Sequence, residues 1–399
     1  MYGGTSMGDL TPTDEAELAE AVAGAAEVGT RLEIAGGGTR LSLGRPVQAE
    51  QTLSLARLSG ITLYEPGALT LVARAGTPIA EIEAALAAEG QMLPFEPIDH
   101  RALLGSDGTP TIGGAVAVAA SGPRRIQKGA IRDAMIGVRF IDGQGAVIAN
   151  GGRVMKNVTG LDLVKMMAGS WGTLGVLSEI SFKLLPASRA TAVLLMDGLD
   201  DRTAVAAMSQ ALGSPFDVAG AAHLPVGLDG DPVTMIRLEG LEGSVAHRTA
   251  ELKAVLERHG PIRVETDPER TRAGWRWIRD AETFAGRDGA VWRISVKPTD
   301  GPVLREALTS AGLVRAVFYD WGGGLVWLLT DAAGDAGEAA IRAQTVALGG
   351  HATLVRAPAA VRAAVEVFEP EAAPLARISA GLRAKFDPKS ILNPGRMRA

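Results

Sequence analysis

Glycine recurs at short intervals from Gly105 to Pro186, mostly between apolar runs. The stretch reads GSDGTPTIGGAVAVAASGPRR, then KGAIRDAMIGVRFIDGQGAVI, then NGGRVMKNVTGLDLVKMMAGSWGTLGVLSEISFKLLP. Glycine weakens the interior of a strand and often marks close approach of a ligand or a second backbone. It also permits turns at positive φ whose N–H groups stay bare. A concave run of bare N–H groups is an anion site. The stretch therefore points to a large phosphorylated ligand lying along it. A glycine-rich β domain with many tight turns would give the same pattern.

A second glycine run stands upstream. Arg31 to Ala35 reads as a strand and runs straight into Gly36-Gly37-Gly38-Thr39-Arg40. A strand entering consecutive glycines and a hydroxyl residue has the geometry of a phosphate loop. Neither G-x-G-x-x-G nor G-x-x-x-x-G-K-S/T is present, and a plain turn is an equal reading. Ahead of this run Thr13 fits a helix N-cap, with Asp14, Glu15 and Glu17 in the first turn and Gly29 at the end. Leu69 to Ala73 reads as a strand. Gly76-Thr77-Pro78 opens a helix with Ile79, Ile82 and Leu86 on one face and Gly90 as its stop. Ile112 to Ala120 is a buried strand or helix by its length. Ala134–Ile141 and Ala146–Ala149 form a hairpin, Leu161–Ala168 a short helix and Leu174–Leu185 a long strand.

From Thr191 to about Pro358 the texture changes. Short strands alternate with helices, the pattern of an antiparallel sheet covered by helices. Five of the six tryptophans lie here, and Trp321, before Gly322-Gly323-Gly324, reads as part of a hairpin turn in preference to lining a site. A helix over Leu375–Phe386 leads into FDPKSILNPG, where two prolines and an asparagine fix a specific turn. No internal repeat is apparent. The expected division is 1–188, 189–365 and 366–399.

Composition excludes several classes. The chain has 399 residues, 47% of them hydrophobic, enough to bury more than one core. Its formal net charge is −5, and the densest basic group, Arg124, Arg125 and Lys128, is too small for a nucleic-acid groove. With no cysteine there is no disulfide, no thiol nucleophile and no iron–sulfur cluster ligated by this chain's own cysteines. No apolar run reaches the ~18 residues of a membrane span, and the N-terminus lacks the regions of a signal peptide. A cytoplasmic protein is expected. His100, His223, His247, His259 and His351 are not at metal-ligand spacing, so no metal site is expected and each histidine reads as satisfied or exposed. There is no G-x-S-x-G elbow, and the residues single out no catalytic group.

Taken in order, these motifs resemble the FAD-binding fold of the vanillyl-alcohol oxidase and p-cresol methylhydroxylase family. Ile34 to Thr39 resembles its first diphosphate loop. Thr111-Ile112-Gly113-Gly114 through Ala120-Ser121-Gly122 resembles the second, and Gly129–Asp133 and Gly169–Val176 the later ones. FDPKSILNPG resembles the family's C-terminal return to the flavin domain. About half the chain is covered. Within the family, Met155–Leu163 and Ala120–Arg125 look most like the FAD-binding subunits of bacterial glycolate oxidases.

The resemblance implies an α+β protein. It would have a two-subdomain FAD-binding fold (1–188), an α+β cap domain for substrate or partner (189–365) and a C-terminal segment returning to the FAD domain (366–399). The implied FAD contacts are Gly36, Gly37, Gly38, Thr39, Arg40 and Leu41, then Thr111, Gly113, Gly114, Ser121, Gly122, Arg132 and Asp133. Lys156, Asn157, Thr159, Gly160, Asp162, Gly175, Val176 and Asn393 complete the set. Backbone N–H groups of Gly36 to Thr39 and of Gly113 and Gly114 would hold the diphosphate. A side chain at Gly113 or Gly114 would occupy the diphosphate volume. Gly175 and Val176 would lie by the adenine, and Thr159 and Gly160 nearer the flavin ring. Covalent members of the family carry a histidine just after the first glycine loop. Here Arg40, Leu41, Ser42 and Leu43 follow, which implies non-covalent FAD.

The implied activity is oxidation of glycolate, a small 2-hydroxy acid, to glyoxylate, with electrons passed through the flavin to an iron–sulfur partner. The catalytic hydroxy-acid dehydrogenases of the family carry an H-x-G-D-G-N-x-H metal motif, and this sequence does not. A second flavin subunit bearing that motif is therefore implied. Two other readings stay open: a free-standing FAD-dependent D-2-hydroxy-acid dehydrogenase, and a non-catalytic scaffold subunit. A substrate carboxylate would need a cation near the flavin, which Arg124 or Arg125 would supply. The partner surface is expected within 191–358, with any contact at the inner membrane made through partners.

Overall fold

A computed structural model describes residues 8–152 and 161–398. The glycine-rich part is built on a five-stranded antiparallel sheet. Its order is Ile61–Glu65, Thr70–Arg74, Val176–Lys183, Met135–Ile141, Val147–Gly151. The central strand Val176–Lys183 is buried on most of its residues, with Ser178 and Ser181 among them, so its sequence shows no strict alternation. Leu18, Leu71, Ile112, Val116, Phe140 and Phe182 share one core with it. Beside this sheet, Leu32–Ala35 pairs in parallel with Gln51–Ser54.

Local chemistry sets the element ends. The first helix is Glu15–Val28, capped by Asp14 and not by Thr13. The Asp14 carboxylate accepts the Glu17 N–H at 2.9 Å. Thr13 instead donates its N–H and hydroxyl to the Glu17 carboxylate, at 2.7 and 2.8 Å. The shorter reach and full charge of the aspartate win the cap position. Gly29 ends the helix with a left-handed φ of 76°. The buried segment of undecided type is a helix over Ile112–Ala117, started by Thr111. No helix among the described residues is long and apolar enough to cross a membrane.

The second region holds an eight-stranded sheet. Its order is Arg263–Glu265, Ala190–Asp197, Val233–Gly240, Val218–Leu224, Ala316–Asp320, Leu325–Thr330, Ala290–Ser295, His351–Arg356, antiparallel throughout. The sequence shows no repeat, but the topology does. Each half runs strand–helix–strand–strand–helix–strand, in the spatial order fourth, first, third, second. The second strands of the two halves meet edge to edge at His223 and Tyr319. Asp201 clamps the seam: it takes the Tyr319 hydroxyl and Arg305 Nη1, the latter at 2.5 Å, with His223 Nε2 at 3.4 Å. The repeat is invisible in the sequence because topology, not side chains, is what recurs. Val218–Leu224 is missed from sequence because every residue is buried and alanine and glycine dominate it. The Pro268–Arg279 helix is missed because only Thr271, Trp275 and Ile278 of its twelve residues are buried.

Four helices (Asp201–Leu212, Glu242–Leu256, Asp300–Ser310, Glu338–Leu348) cover one face of this sheet. The other face packs Val193, Phe318 and Trp327 against Leu43 and Leu103 of the glycine-rich region. The last segment returns to the first sheets. After the Ala373–Phe386 helix, the Leu32 N–H donates to Ile391 O at 2.7 Å and the Asn393 N–H to Leu32 O at 2.9 Å.

Candidate functional site

The strand Leu32–Ala35 ends at the mouth of an open cavity. The whole run Gly36–Leu41 lines it, with Thr111, Gly113, Gly114, Gly175 and Asn393. Among the described residues, the N–H groups of Gly37, Gly38, Thr39 and Arg40 find no protein acceptor. Four adjacent bare donors in one loop form a nest for an anion. Gly38, at φ 81°, would place a Cβ in open space.

Arg40 lies beneath this loop. Burial pushes its guanidinium down to about 10, and the charges of Asp99 and Asp280 only partly counter it. Nη2 donates to Ile98 O at 2.9 Å and Nε to His100 Nδ1 at 3.3 Å. Burial and the Arg40 charge hold His100 down at about 3, so it is a neutral acceptor carrying its proton on Nε2. Among the described residues no carboxylate pairs with Arg40 directly. A half-buried cation without a paired carboxylate, in the loop that carries the four bare N–H groups, suits an anion in sign. His100 had no signal in the sequence beyond being a lone histidine.

The glycines facing this loop are there for a different reason than the sequence suggested. A Cβ at Gly36 would stand 2.3 Å from Thr111 Oγ1, and one at Gly37 would stand 1.8 Å from Thr109 O. The Gly113 N–H is not bare: it donates to Ala75 O at 2.8 Å, and a Cβ there would meet Ala75 at 2.7 Å. The Gly114 N–H donates to Thr111 Oγ1 at 3.3 Å. A side chain at Gly113 would therefore disrupt packing before reaching a ligand. Gly36, Gly37 and Gly113 let two chain segments close on each other, and Gly37 to Arg40 carry the free donors. Gly175 likewise accommodates the Phe140 ring, 2.6 Å from a Cβ built there.

The tail closes the cavity. The Asn393 side chain accepts the Ile34 N–H at 2.8 Å and donates to Trp171 O at 2.8 Å. Arg396, not singled out from sequence, donates to Leu41 O at 2.7 Å, Leu43 O at 2.9 Å and Glu33 at 2.6 Å. Asn393 and Arg396 thus fix both sides of the Gly36–Leu41 loop. Trp171 and Val118 also line the cavity and were not anticipated.

Six expected contacts do not line it. Ser121 Oγ accepts the Ile131 N–H at 3.0 Å. Gly122 sits against Glu96 and Arg279, with no room for a Cβ. Asp133 accepts the Ala130 N–H at 2.8 Å, and Arg132 is exposed beside it. Asp162 caps the Leu163–Met167 helix, and Val176 begins the buried central strand opposite Ile141. Lys156, Asn157, Thr159 and Gly160 lie outside the described residues.

Between the two sheets stands a buried ionic network. Arg124 donates to Glu239 through Nε and Nη2, each at 2.9 Å, and Arg237 donates to Glu96 at 2.9 and 3.0 Å. Arg124 is thereby committed to structure. Its neighbour Arg125 is not in the network. It stacks on Trp321, 4.7 Å from the ring centroid, and Trp321 Nε1 donates to Gly122 O at 3.3 Å.

Comparison with known proteins agrees with this geometry. Residues 8–150 match the family model described as FAD binding domain. The chain is 38% identical over 373 residues to glycolate oxidase subunit GlcE of Escherichia coli, covering 93% of each protein. It is 27% identical over 243 residues to glycolate oxidase subunit GlcD of Bacillus subtilis, spanning 60% of this chain and 48% of that one. In structure it resembles an alkyldihydroxyacetonephosphate synthase, with a TM-score of 0.66 at 16% identity over 96% of this chain and 76% of the other. That likeness shows the fold alone, an α+β architecture, and the FAD-binding character rests on the family model over residues 8–150.

Proposed function

We propose that this chain, which belongs to the family of FAD-binding glycolate oxidase subunits, is the FAD-binding part of a multi-subunit complex that oxidises a small 2-hydroxy acid. The observation that carries this reading is the set of four bare N–H groups from Gly37 to Arg40 in the loop that also carries the Arg40 charge. These donors hold the FAD diphosphate, with Thr111 and Gly114 on the facing loop. Gly175 lies toward the adenine end, and Asn393 keeps the loop in place. FAD held by these residues would supply a two-electron acceptor for oxidation of the substrate's CH–OH group, which no side chain here can supply. The loop runs on through Arg40, Leu41, Ser42 and Leu43, with no histidine to attach the flavin, so FAD is held non-covalently.

The complex is completed by two kinds of partner. The chain has no H-x-G-D-G-N-x-H motif to polarise the substrate and no cysteine to ligate a cluster. A metal-motif flavin subunit and an iron–sulfur subunit supply these, and any membrane contact runs through them. The purified chain should be yellow, and acid precipitation should leave all the flavin in the supernatant. A colourless preparation sinks the FAD assignment, and flavin retained in the pellet sinks the non-covalent one. Glycolate-dependent dye reduction per flavin should rise sharply on co-expression with the two partners. Equal rates for the chain alone would replace the subunit reading with that of a free-standing dehydrogenase.

A further inference from the structure

The two halves of the eight-stranded sheet match in topology, but their outer strands differ in length. In the second half the outer strand His351–Arg356 covers its neighbour from Ser295 back to Val291, nearly the whole of Ala290–Ser295. In the first half the outer strand Arg263–Glu265 has three residues, and it covers only Val193–Leu195 of the eight-residue strand Ala190–Asp197. The chain then leaves the sheet, and Asp267 caps the Pro268–Arg279 helix. Ala190, Thr191 and Ala192 are left at an open edge.

Hydrogen-bond direction shows which backbone groups are bare. Gly198 donates its N–H to Pro232 O at 2.8 Å, toward the inner neighbour Val233–Gly240. In an antiparallel strand the N–H and C=O of one residue point to the same side, and the side alternates from residue to residue. Even-numbered residues therefore bond inward, and Val193 and Leu195 face outward to Glu265 and Arg263. The next outward pair belongs to Thr191. Among the described residues this pair finds no partner.

The open edge is the floor of a groove. Ala190, Thr191 and Ala192 line it, with the Glu242–Leu256 helix on one side and the Pro268–Arg279 helix on the other. Each helix brings a buried polar atom without a partner among the described residues, Thr249 Oγ1 and Trp275 Nε1. A bare strand edge and unpaired buried groups favour whatever can pair with them. The matching place in the other half holds a strand, so a strand fits here. Charge narrows the choice further. Six arginines and three glutamates line the groove, on a chain of net charge −5. Glu96 and Glu239 are taken by Arg124 and Arg237. Arg189 and Arg272 are exposed and form no ion pair among the described residues, which leaves Glu242 as the acid opposing them.

We propose that this edge accepts an extended, acidic segment of a partner subunit, which adds as the missing length of the outer strand. Its main chain pairs with the Thr191 N–H and C=O, and its carboxylates meet Arg189 and Arg272. This rests on the function proposed above and gives the complex a point of assembly. The groove shares no lining residue with the flavin cavity, so the two are separable by mutation.

The test is affinity capture of the tagged full chain, co-expressed with the metal-motif flavin subunit and the iron–sulfur subunit. The parent should hold a partner and release it as salt rises. Thr191→Pro removes the outward N–H and leaves the inward bonds in place. Arg189→Glu combined with Arg272→Glu reverses the rim. Each should weaken capture about tenfold or more, with flavin content and melting temperature close to the parent's. Hydrogen exchange at the Thr191 amide should slow in the parent complex. If Thr191→Pro fails to fold, the rim variant and the exchange rate decide. A complex that forms equally well with the rim variant and leaves Thr191 exchanging freely overturns the proposal while the subunit reading stands. Self-association of the chain alone, abolished by Thr191→Pro, would put a second copy in the groove and overturn it as well. A parent that captures neither partner overturns both readings.

Discussion

Arg237 of the second sheet grips Glu96 of the glycine-rich region with both terminal nitrogens, at 2.9 and 3.0 Å, in the seam between the two cores. The pair is nearly closed to water, with side-chain exposures of 3% and 11%. Arg124 donates its backbone N–H to the same carboxylate at 2.7 Å. Glu96 therefore ties three segments, and the seam between the two sheets depends on it.

Removing that carboxylate should leave two buried arginines with Glu239 alone. Glu96→Ala should cost about 3–5 kcal/mol, read as a lower urea midpoint, with Glu96→Gln costing less. Burial pushes the Glu96 carboxyl up, but the charges of Arg237 and Arg124 outweigh it and hold it at about 2, below its ordinary 4.5. The folded form thus favours the ionised group. Its contribution is complete above the ordinary carboxylate range and is lost as pH falls toward 2. Stability should drop on acidification in the parent and drop less steeply in Glu96→Gln.

The two glycine loops separate packing from binding. Gly37→Ala would drive a Cβ to 1.8 Å from Thr109 O, a backbone atom that cannot swing aside. That variant should lose about 3 kcal/mol or more and its flavin together. Gly38→Ala meets no atom within 4 Å but must hold φ at 81°. It should cost about 1–2 kcal/mol through backbone strain, fold normally, and bind FAD more weakly because its methyl enters the cavity. Thermal melts and flavin titration distinguish the two. Equal behaviour of the two variants would mean that the loop is not built as described.

Much of this was legible in the sequence, for a definite reason. The run Gly36–Gly38 drew attention in the sequence but fitted a plain turn equally well, and the fold shows both uses: Gly36 and Gly37 admit a second segment, while Gly38 holds a left-handed turn. What approaches is not encoded: Gly113 faces Ala75 and Gly36 faces Thr111, and only the fold reveals this. His100 was out of reach because it is a single residue whose partners come from distant segments. Arg124 and Arg125 were indistinguishable as neighbours in sequence. The structure separates them, because one points into an ionic network and the other onto an indole. The doubled topology of the second sheet left no trace in residue identity.

Asn393 offers a test of the tail. Its backbone is left-handed, at φ 44°, which asparagine tolerates better than most residues. Its amide bridges Ile34 N and Trp171 O across the cavity mouth. Asn393→Ala should lose both hydrogen bonds and add backbone strain, about 2 kcal/mol in all. FAD affinity should fall by about tenfold while the second sheet, followed through its tryptophans, unfolds at an unchanged denaturant concentration. A variant with parental FAD affinity would show that the tail braces the fold and not the site.

Asp320 makes the stability of the fold pH-dependent. Burial pushes its carboxyl up to about 7, and the Glu96 charge adds to this. The Trp321 N–H and the charges of Arg237 and Arg293 oppose it. His100 is held at about 3, and His351 is lowered from its ordinary 6.5 by burial and by Arg293. Asp320 is therefore the group that changes charge near neutrality. Between its ordinary 3.8 and about 7 the folded chain holds a proton that the unfolded chain has released. Its stabilising contribution is thus present at low pH and declines as pH rises, by at most about 1.4 kcal/mol per pH unit. The urea midpoint should therefore fall between about pH 6 and about pH 8 in the parent. In Asp320→Asn the Trp321 N–H keeps its acceptor, and this slope should flatten. An unaltered pH dependence of the midpoint in that variant would place the titrating group elsewhere.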